Sequence, residues 1–204
     1  MKLYWSPRSP YVRKVMVVAH ETGLVHRIEC IPCDVFMMRE NEALMRVNPF
    51  SKIPTLVLED GRVFNDSAFI CEYLDSLHAG PKLFPPEGEA RWRALSWHAK
   101  GDAMLDALIL WRNERDRPEG ERSARLIRSF ETRVHTALDG WEREVASIAD
   151  DAFNVGHITL GVALGYLDFR FNNLDWRAGR KALTGWHARF ASRDSAMATE
   201  PRLA

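Results

Sequence analysis

The stretch Asn48-Pro49-Phe50-Ser51-Lys52-Ile53-Pro54-Thr55, continued to Asn65-Asp66-Ser67, decides how the rest of the chain is read. Ile53-Pro54 stands immediately before the apolar run Thr55-Leu56-Val57-Leu58. At the mouth of a strand an X-Pro bond is close enough in energy to cis for its surroundings to hold it there. A cis bond would turn the Ile53 backbone outward, leaving its N–H and C=O to pair with an extended peptide as an added strand would. Glu59-Asp60-Gly61-Arg62 then supplies the Asp-Gly pair of a tight hairpin. Asp66-Ser67 opens a helical pattern at Ala68, Ile70, Cys71, Leu74 and Leu77, gathering a carboxylate, a hydroxyl and free N–H groups at one helix end. Such an end attracts an anion, while the carboxylate holds an ammonium. The combination suits a zwitterionic amino-acid head group. Taken singly, each piece has a plainer reading: a proline before a strand is commonly a turn, and Asp-Ser before a helix is commonly a cap. Order and spacing together make the stretch specific.

Upstream, Lys2 to Trp5 is short, apolar and β-prone, and Ser6-Pro7-Arg8-Ser9-Pro10 breaks it. Val12, Val15, Met16 and Ala19 then recur at helical spacing, with Ser9 as N-cap, Pro10 in the first turn and Gly23 at the end. Arg27 to Ile31 alternates as a half-buried strand, and a short helix is expected over Met38 to Val47. The first 80 residues therefore read β-α-β-α-β-β-α, the thioredoxin-like order. Downstream, the breakers from Gly80 to Gly88 mark a linker at 81–88. Beyond it strand signals fade. Trp92 to Trp111 predicts one long helix, broken by Arg115 to Gly120, and Leu126, Phe130, Val134, Leu138 and Trp141 continue at helical spacing. Asn154 to Leu167 is a strongly apolar, central helix, and Ala182 to Phe190 another. The expected architecture is an α/β domain over 1–80 and an all-α domain over 89–204.

Composition narrows the function. Of 204 residues 46% are apolar, enough for a substantial core, and 28 basic against 28 acidic residues leave no net charge to attract a nucleic acid. No apolar run nears the roughly 18 residues that span a membrane, and the N-terminus enters a strand-like segment without a signal peptide's apolar core, so a cytoplasmic protein is expected. Three cysteines make no disulfide framework, and seven histidines show no ligand spacing, so no metal is expected. Cys30-Ile31-Pro32-Cys33 has the C-x-x-C form of a redox pair, but such a pair belongs at the helix after the first strand, where this chain has Ser9.

Asn-Pro, Lys-Ile-Pro, an apolar strand, an Asp-Gly hairpin and Asp-Ser at a helix start, in that order, resemble the glutathione-binding half of cytosolic glutathione S-transferases. The resemblance extends to the whole chain, whose second half is similar to the family's helical domain. It implies glutathione as co-substrate and conjugation of its thiolate to small hydrophobic electrophiles, the chemistry of detoxification. Ser9-Pro10-Tyr11 resembles the active-site pattern of the tau- and omega-like branches, in a bacterial style, and implies that Ser9 contacts the glutathione sulfur. A free thiol titrates near pH 8.5, and lowering that by about two units needs roughly 2.7 kcal/mol. A donated hydroxyl beside a helix N-terminus is suited to supply it. Ser6 is the second candidate.

By the same resemblance Lys52 holds the glycyl carboxylate, Ile53 pairs through its backbone with the cysteinyl unit, Pro54 is cis, and Asp66 and Ser67 hold the γ-glutamyl head group. Asp66 stands where Glu is commoner, which moves the carboxylate inward by a methylene. Tyr11, Met104, Leu108 and Trp111 would line the electrophile pocket, with Arg8, Arg13 and Arg112 adding positive charge. A second departure lies at Asn154 and His157, where the family has a Ser/Thr-x-x-Asp capping box: neutral His is expected not to supply the acidic return bond, leaving a weaker or pH-sensitive box. A homodimer through the third and fourth helices is implied. The alternatives are a glutathione-dependent peroxidase, isomerase or dehalogenase, and a non-enzymatic binding protein; retention of Ser9, Lys52, Asp66 and Ser67 speaks against the last.

Overall fold

A computed structural model describes residues 1–203. Contacts divide the chain into two compact units, one of Met1–Pro86 with the chain from Asp194 onward, the other of Glu87–Arg193.

In the first unit the elements run β1 (Lys2–Trp5), α1 (Pro10–Glu21), β2 (Glu29–Pro32), α2 (Glu42–Met45), β3 (Thr55–Val57), β4 (Val63–Asn65) and α3 (Ser67–Ser76). The four strands form one sheet in the order β2-β1-β3-β4, with β1 and β2 parallel and the other pairs antiparallel. The expected α/β order is present. Leu3 and Leu56 face each other across β1 and β3 and are wholly buried, so the short strands are held by their core face. The apolar stripe of α1 is buried from Val12 to Ala19. The Asp-Gly hairpin closes as its sequence demands: Gly61 has a φ of +86°, and Leu58 N–H donates to Arg62 C=O at 2.9 Å.

Three boundaries differ from the sequence reading. Helix α2 is one turn, Glu42–Met45, rather than 38–47, because Asn41 is the residue that caps it, accepting from Leu44 N–H at 3.0 Å. Before it, Phe36 and Arg39 pair as an isolated bridge, which keeps Met38 out of the helix. Strand β2 begins at Glu29, since Val25–Arg27 turns as a 3-10 helix. Most consequentially, the all-α domain does not run to 204. A last helix, α8 (Asp194–Ala198), packs on α1, tied by Ser195 Oγ donating to Glu21 Oε1 at 2.5 Å and Arg13 donating to the Ala196 carbonyl at 3.2 Å.

After α3 the chain is fixed by Asp75, only 3% exposed, whose carboxylate accepts from Leu83 N–H at 2.9 Å and Phe84 N–H at 3.0 Å. That part of the predicted linker is therefore docked.

The second unit is helical: α4 (Gly88–Arg115), α5 (Ala124–Ala149), α6 (Val155–Arg170) and α7 (Lys181–Ala191). Helix α6 is buried almost all round from Val155 to Leu167, as an apolar helix at the centre of a bundle must be. It packs against α4 and α7, and α5 packs against the same two. The loop before α7 is pinned by Asp168, which accepts from Trp176 Nε1 at 2.8 Å and from both Arg177 terminal nitrogens at 2.6 and 2.8 Å. Burial opposes its ionisation, yet the Arg177 and Trp176 hydrogen bonds hold the Asp168 carboxyl below the usual range. No helix among the described residues is long and apolar enough to cross a membrane.

Candidate active site

The register collects the candidate residues of the first unit at one end of the sheet. Tyr4 pairs with Thr55, so the chain leaving β1 toward Ser6 runs beside the chain entering β3 through Ile53 and Pro54. Thr55 also pairs with Asn65, so β4 leaves the sheet into Asp66 and Ser67 at the same end. Helices α1 and α3 both present their N-termini there.

Ser9 is the N-cap of α1, and its Oγ accepts from Val12 N–H at 3.3 Å. Its own N–H donates to the Ser6 carbonyl at 3.2 Å. Ser6 is buried, and its hydroxyl lies 3.5 Å from the Arg8 N–H that donates to it. One serine thus folds the corner while the other stands half-buried at the helix mouth. Arg8 reaches sideways to the Asp34 carboxylate and over the Phe36 ring, 5.7 Å from its centroid.

The Ile53–Pro54 bond is cis. Among the described residues no backbone group pairs with the N–H or C=O of Ile53. The loop before it is organised by Asn48, 1% exposed, a role the sequence reading did not assign. Its amide donates to the Lys52 carbonyl at 3.1 Å and to Thr55 Oγ1 at 2.9 Å, while its Oδ1 accepts from Phe50 N–H at 3.1 Å. The only sequence signal was its place before Pro49, which stops a helix there. The Lys52 side chain is exposed and has no ion pair among the described residues.

Asp66 has a φ of +74°, unusual for a residue with a Cβ, and its carboxylate accepts from Ala68 N–H at 2.7 Å. Ser67 follows, buried, as the first residue of α3. The carboxylate, hydroxyl and helix N-terminus that the sequence put together are therefore together in the fold.

A cleft of 340 Å³ opens beside Ser9 within this unit. Trp5, Ser9, Arg13 and Cys30 line one side, and the strap after α8, including Glu200 and Arg202, lines the other. The strap's share in a site had no sequence signal. Burial pushes the Cys30 thiol up, and burial followed by the Asp34 carboxylate does the same to Cys33. A raised pKa leaves less thiolate, the form that acts as nucleophile. Cys30 as a whole residue is exposed on its strand, so the burial acting on it is partial. Among the described residues no three or more His, Cys, Asp or Glu side chains gather as metal ligands would.

Tyr11 lies half-buried on α1, with the ammonium of the wholly buried Lys14 5.7 Å from its ring centroid. Met104, Leu108 and Trp111 belong to α4 in the second unit, all buried, and Trp111 packs on Phe171 with centroids 4.7 Å apart. In the same unit Arg112 bonds to Asn113 at 2.7 Å. His157 overturns one expectation. Asn154 Oδ1 accepts from Gly156 N–H at 2.9 Å, and Asn154 N–H donates to His157 Nδ1 at 3.2 Å, so neutral His does return the capping bond. A neutral imidazole has one bare ring nitrogen, and that nitrogen is the acceptor.

Comparison with known proteins identifies the family. The family profile described as "Glutathione S-transferase, N-terminal domain" matches residues 8–77, and "Glutathione S-transferase, C-terminal domain" matches 111–189. The curated Escherichia coli K12 "Uncharacterized GST-like protein YibF" is 28% identical over 98% of both chains. A glutathione transferase family member from Pseudomonas fluorescens Pf-5, crystallised with bound glutathione, superposes with a TM-score of 0.96 at 37% identity over 99% of both chains. A crystal structure from the same organism with bound S-(propanoic acid)-glutathione gives 0.91 at 36% identity over 100% of both.

Proposed function

The chain belongs to the glutathione S-transferase family, and from that premise we propose that it binds glutathione at this end of the sheet and conjugates the thiolate to small hydrophobic electrophiles. The observation that carries the reading is Ser9. Its hydroxyl oxygen uses a lone pair to cap α1, which leaves its single O–H to donate outward. A sulfur placed there accepts that bond and faces the helix N-terminus, and both effects favour the thiolate. Ser6 is buried whereas Ser9 stands half-buried at the helix mouth, which favours Ser9 over it.

The other ligand contacts fall in place around the sulfur. Lys52, unpaired and exposed, is suited to the glycyl carboxylate. The open backbone of Ile53 beside Pro54 takes the cysteinyl unit as an added strand would. Asp66 holds the γ-glutamyl ammonium, and Ser67 with the α3 N-terminus holds its carboxylate. Tyr11, half-buried on α1, is proposed to face the electrophile. No metal takes part in this mechanism. The Pseudomonas relative holding S-(propanoic acid)-glutathione carries a substituent on the sulfur, which supports thioether formation as the outcome. We place the protein in the cytoplasm as a homodimer, for which Phe69 on α3 and Trp92 on α4, 52% and 65% exposed, supply apolar surface.

The test is a pH titration of thiolate absorbance for glutathione bound to the protein. The wild-type complex is expected to titrate well below the free thiol's roughly 8.5. Ser9→Ala should bind glutathione nearly as well and raise the bound pKa by about one unit or more, the worth of a hydrogen bond to a charged group. An unchanged value in that variant moves the role to Ser6 or to the helix end. Binding without any shift in the wild type would replace conjugation by carriage of glutathione.

A further inference from the structure

We propose that the strap after α8 is part of the substrate site, and that Arg202 with Arg13 selects electrophiles carrying a carboxylate or similar anionic group. The inference rests on the reading of Ser9 as the sulfur's partner.

Ser9 lines the cleft of 340 Å³, so a substituent bonded to the sulfur beside Ser9 has this cleft open to it. The volume lies at the lower end of the range for small-molecule sites. Its walls are mixed. Trp5, Met16 and Met197 supply apolar surface, while among the described residues Arg13, Arg202 and Glu200 are its charged lining groups. Arg13 is fixed, since it donates to the Ala196 carbonyl at 3.2 Å and is half-buried on α1. Arg202 also lines the cleft, is exposed, and has no ion pair among the described residues. A planar carboxylate is the ligand that a guanidinium fork matches best.

The strap is not a loose end. Ser195 and Ala196 are buried, Ser195 is bonded to Glu21, and Thr199 Oγ1 donates back to the Ser195 carbonyl at 2.8 Å. Arg202 follows four residues after the end of this docked helix. The reaction itself needs nothing new: with an activated aryl chloride the thiolate sulfur forms the S–C bond, and the C–Cl electron pair leaves as chloride. Arg202 touches the substrate's remote carboxylate and stays outside the bond changes. Its contribution is therefore to substrate binding, read in KM rather than kcat.

The experiment compares 4-chloro-3,5-dinitrobenzoate with its methyl ester, which share one leaving group and differ in charge. In Arg202→Glu the ratio of kcat/KM, acid over ester, is expected to fall about tenfold or more, mainly through KM, while Arg202→Lys retains most of it. The wild-type preference should also shrink at high salt. An unchanged ratio in Arg202→Glu overturns the proposal. The two S-aryl glutathione products are titrated separately by calorimetry. If neither electrophile turns over but the acidic product still binds better in an Arg202-dependent way, the conjugation reading fails and the anion-selective cleft stands. If neither product binds, both fall.

Discussion

Asp66 joins three functions in one residue: a backbone held at φ +74°, a helix cap, and the proposed ammonium ligand. A non-glycine residue held in such a conformation costs about 1–3 kcal/mol, and costs of this kind cluster at ligand sites. Asp66→Gly removes that cost, and glycine at an N-cap loses only a few tenths of a kcal/mol relative to Asp. The variant is therefore expected to melt at or above the wild-type temperature while its glutathione Kd rises about tenfold or more. Calorimetry on both counts checks it; a variant that melts lower and binds normally would mean that Asp66 serves only the fold. Lys52 presents the opposite case. It is exposed and has no ion pair among the described residues, which leaves it open to the proposed carboxylate. Cys30 and Cys33 show how a motif misleads when its position is ignored. They make the C-x-x-C spacing, but on β2 and just after it, with burial raising both thiols' pKa.

At the scale of elements, α6 decides the second unit. Its N-terminus is closed by Asn154 and His157, and burial is the main cause holding the His157 pKa below its ordinary 6.5, opposed by the Ile148 backbone bond and Asp151 and reinforced by Arg193. Folded His157 stays neutral and accepts the Asn154 N–H; unfolded, it protonates near 6.5. Its contribution to stability is complete above that pH. It falls as pH drops below it, by at most about 1.4 kcal/mol per pH unit, until the lowered folded pKa is passed. Urea midpoints measured between pH 7.5 and 5 should show this slope, and His157→Gln, which keeps an acceptor without titrating there, should flatten it. One residue earlier, Gly156 sits where a Cβ would meet Trp97 Cβ at 2.7 Å and the Ala94 carbonyl oxygen at 3.0 Å, both on α4. Backbone cannot yield as a side-chain tip can. Gly156→Ala is expected to destabilise by about 1–3 kcal/mol in urea unfolding, the ordinary cost of overpacking.

At the scale of the whole molecule the chain closes the first unit with its own far end, since α8 packs on α1. Ending the chain at Arg193 removes the Ser195–Glu21 and Arg13–Ala196 bonds and uncovers that side of α1. A loss of about 2–3 kcal/mol is expected from the two bonds, read as a lower urea midpoint; an unchanged midpoint would mean that the strap serves the cleft alone. Much of the rest was legible beforehand. Alternation and helical spacing placed β1, β3, β4, α1, α3 and the four helices of the second unit, and local chemistry gave the Ser9 cap and the Asp-Gly hairpin. These are properties of residues within a turn or two of each other, so the sequence by itself determined them. What it left open all involves partners distant along the chain. Glu142 on α5 caps α7 by accepting from Ala182 N–H at 3.0 Å and Leu183 N–H at 2.7 Å, about forty residues away. The strap likewise brings Arg202 to a cleft that Ser9 shares. Periodicity records which face of an element is buried but not which element will cover it. Only the packed tertiary structure, satisfying each buried polar group with whatever the fold brings near, decided those pairings.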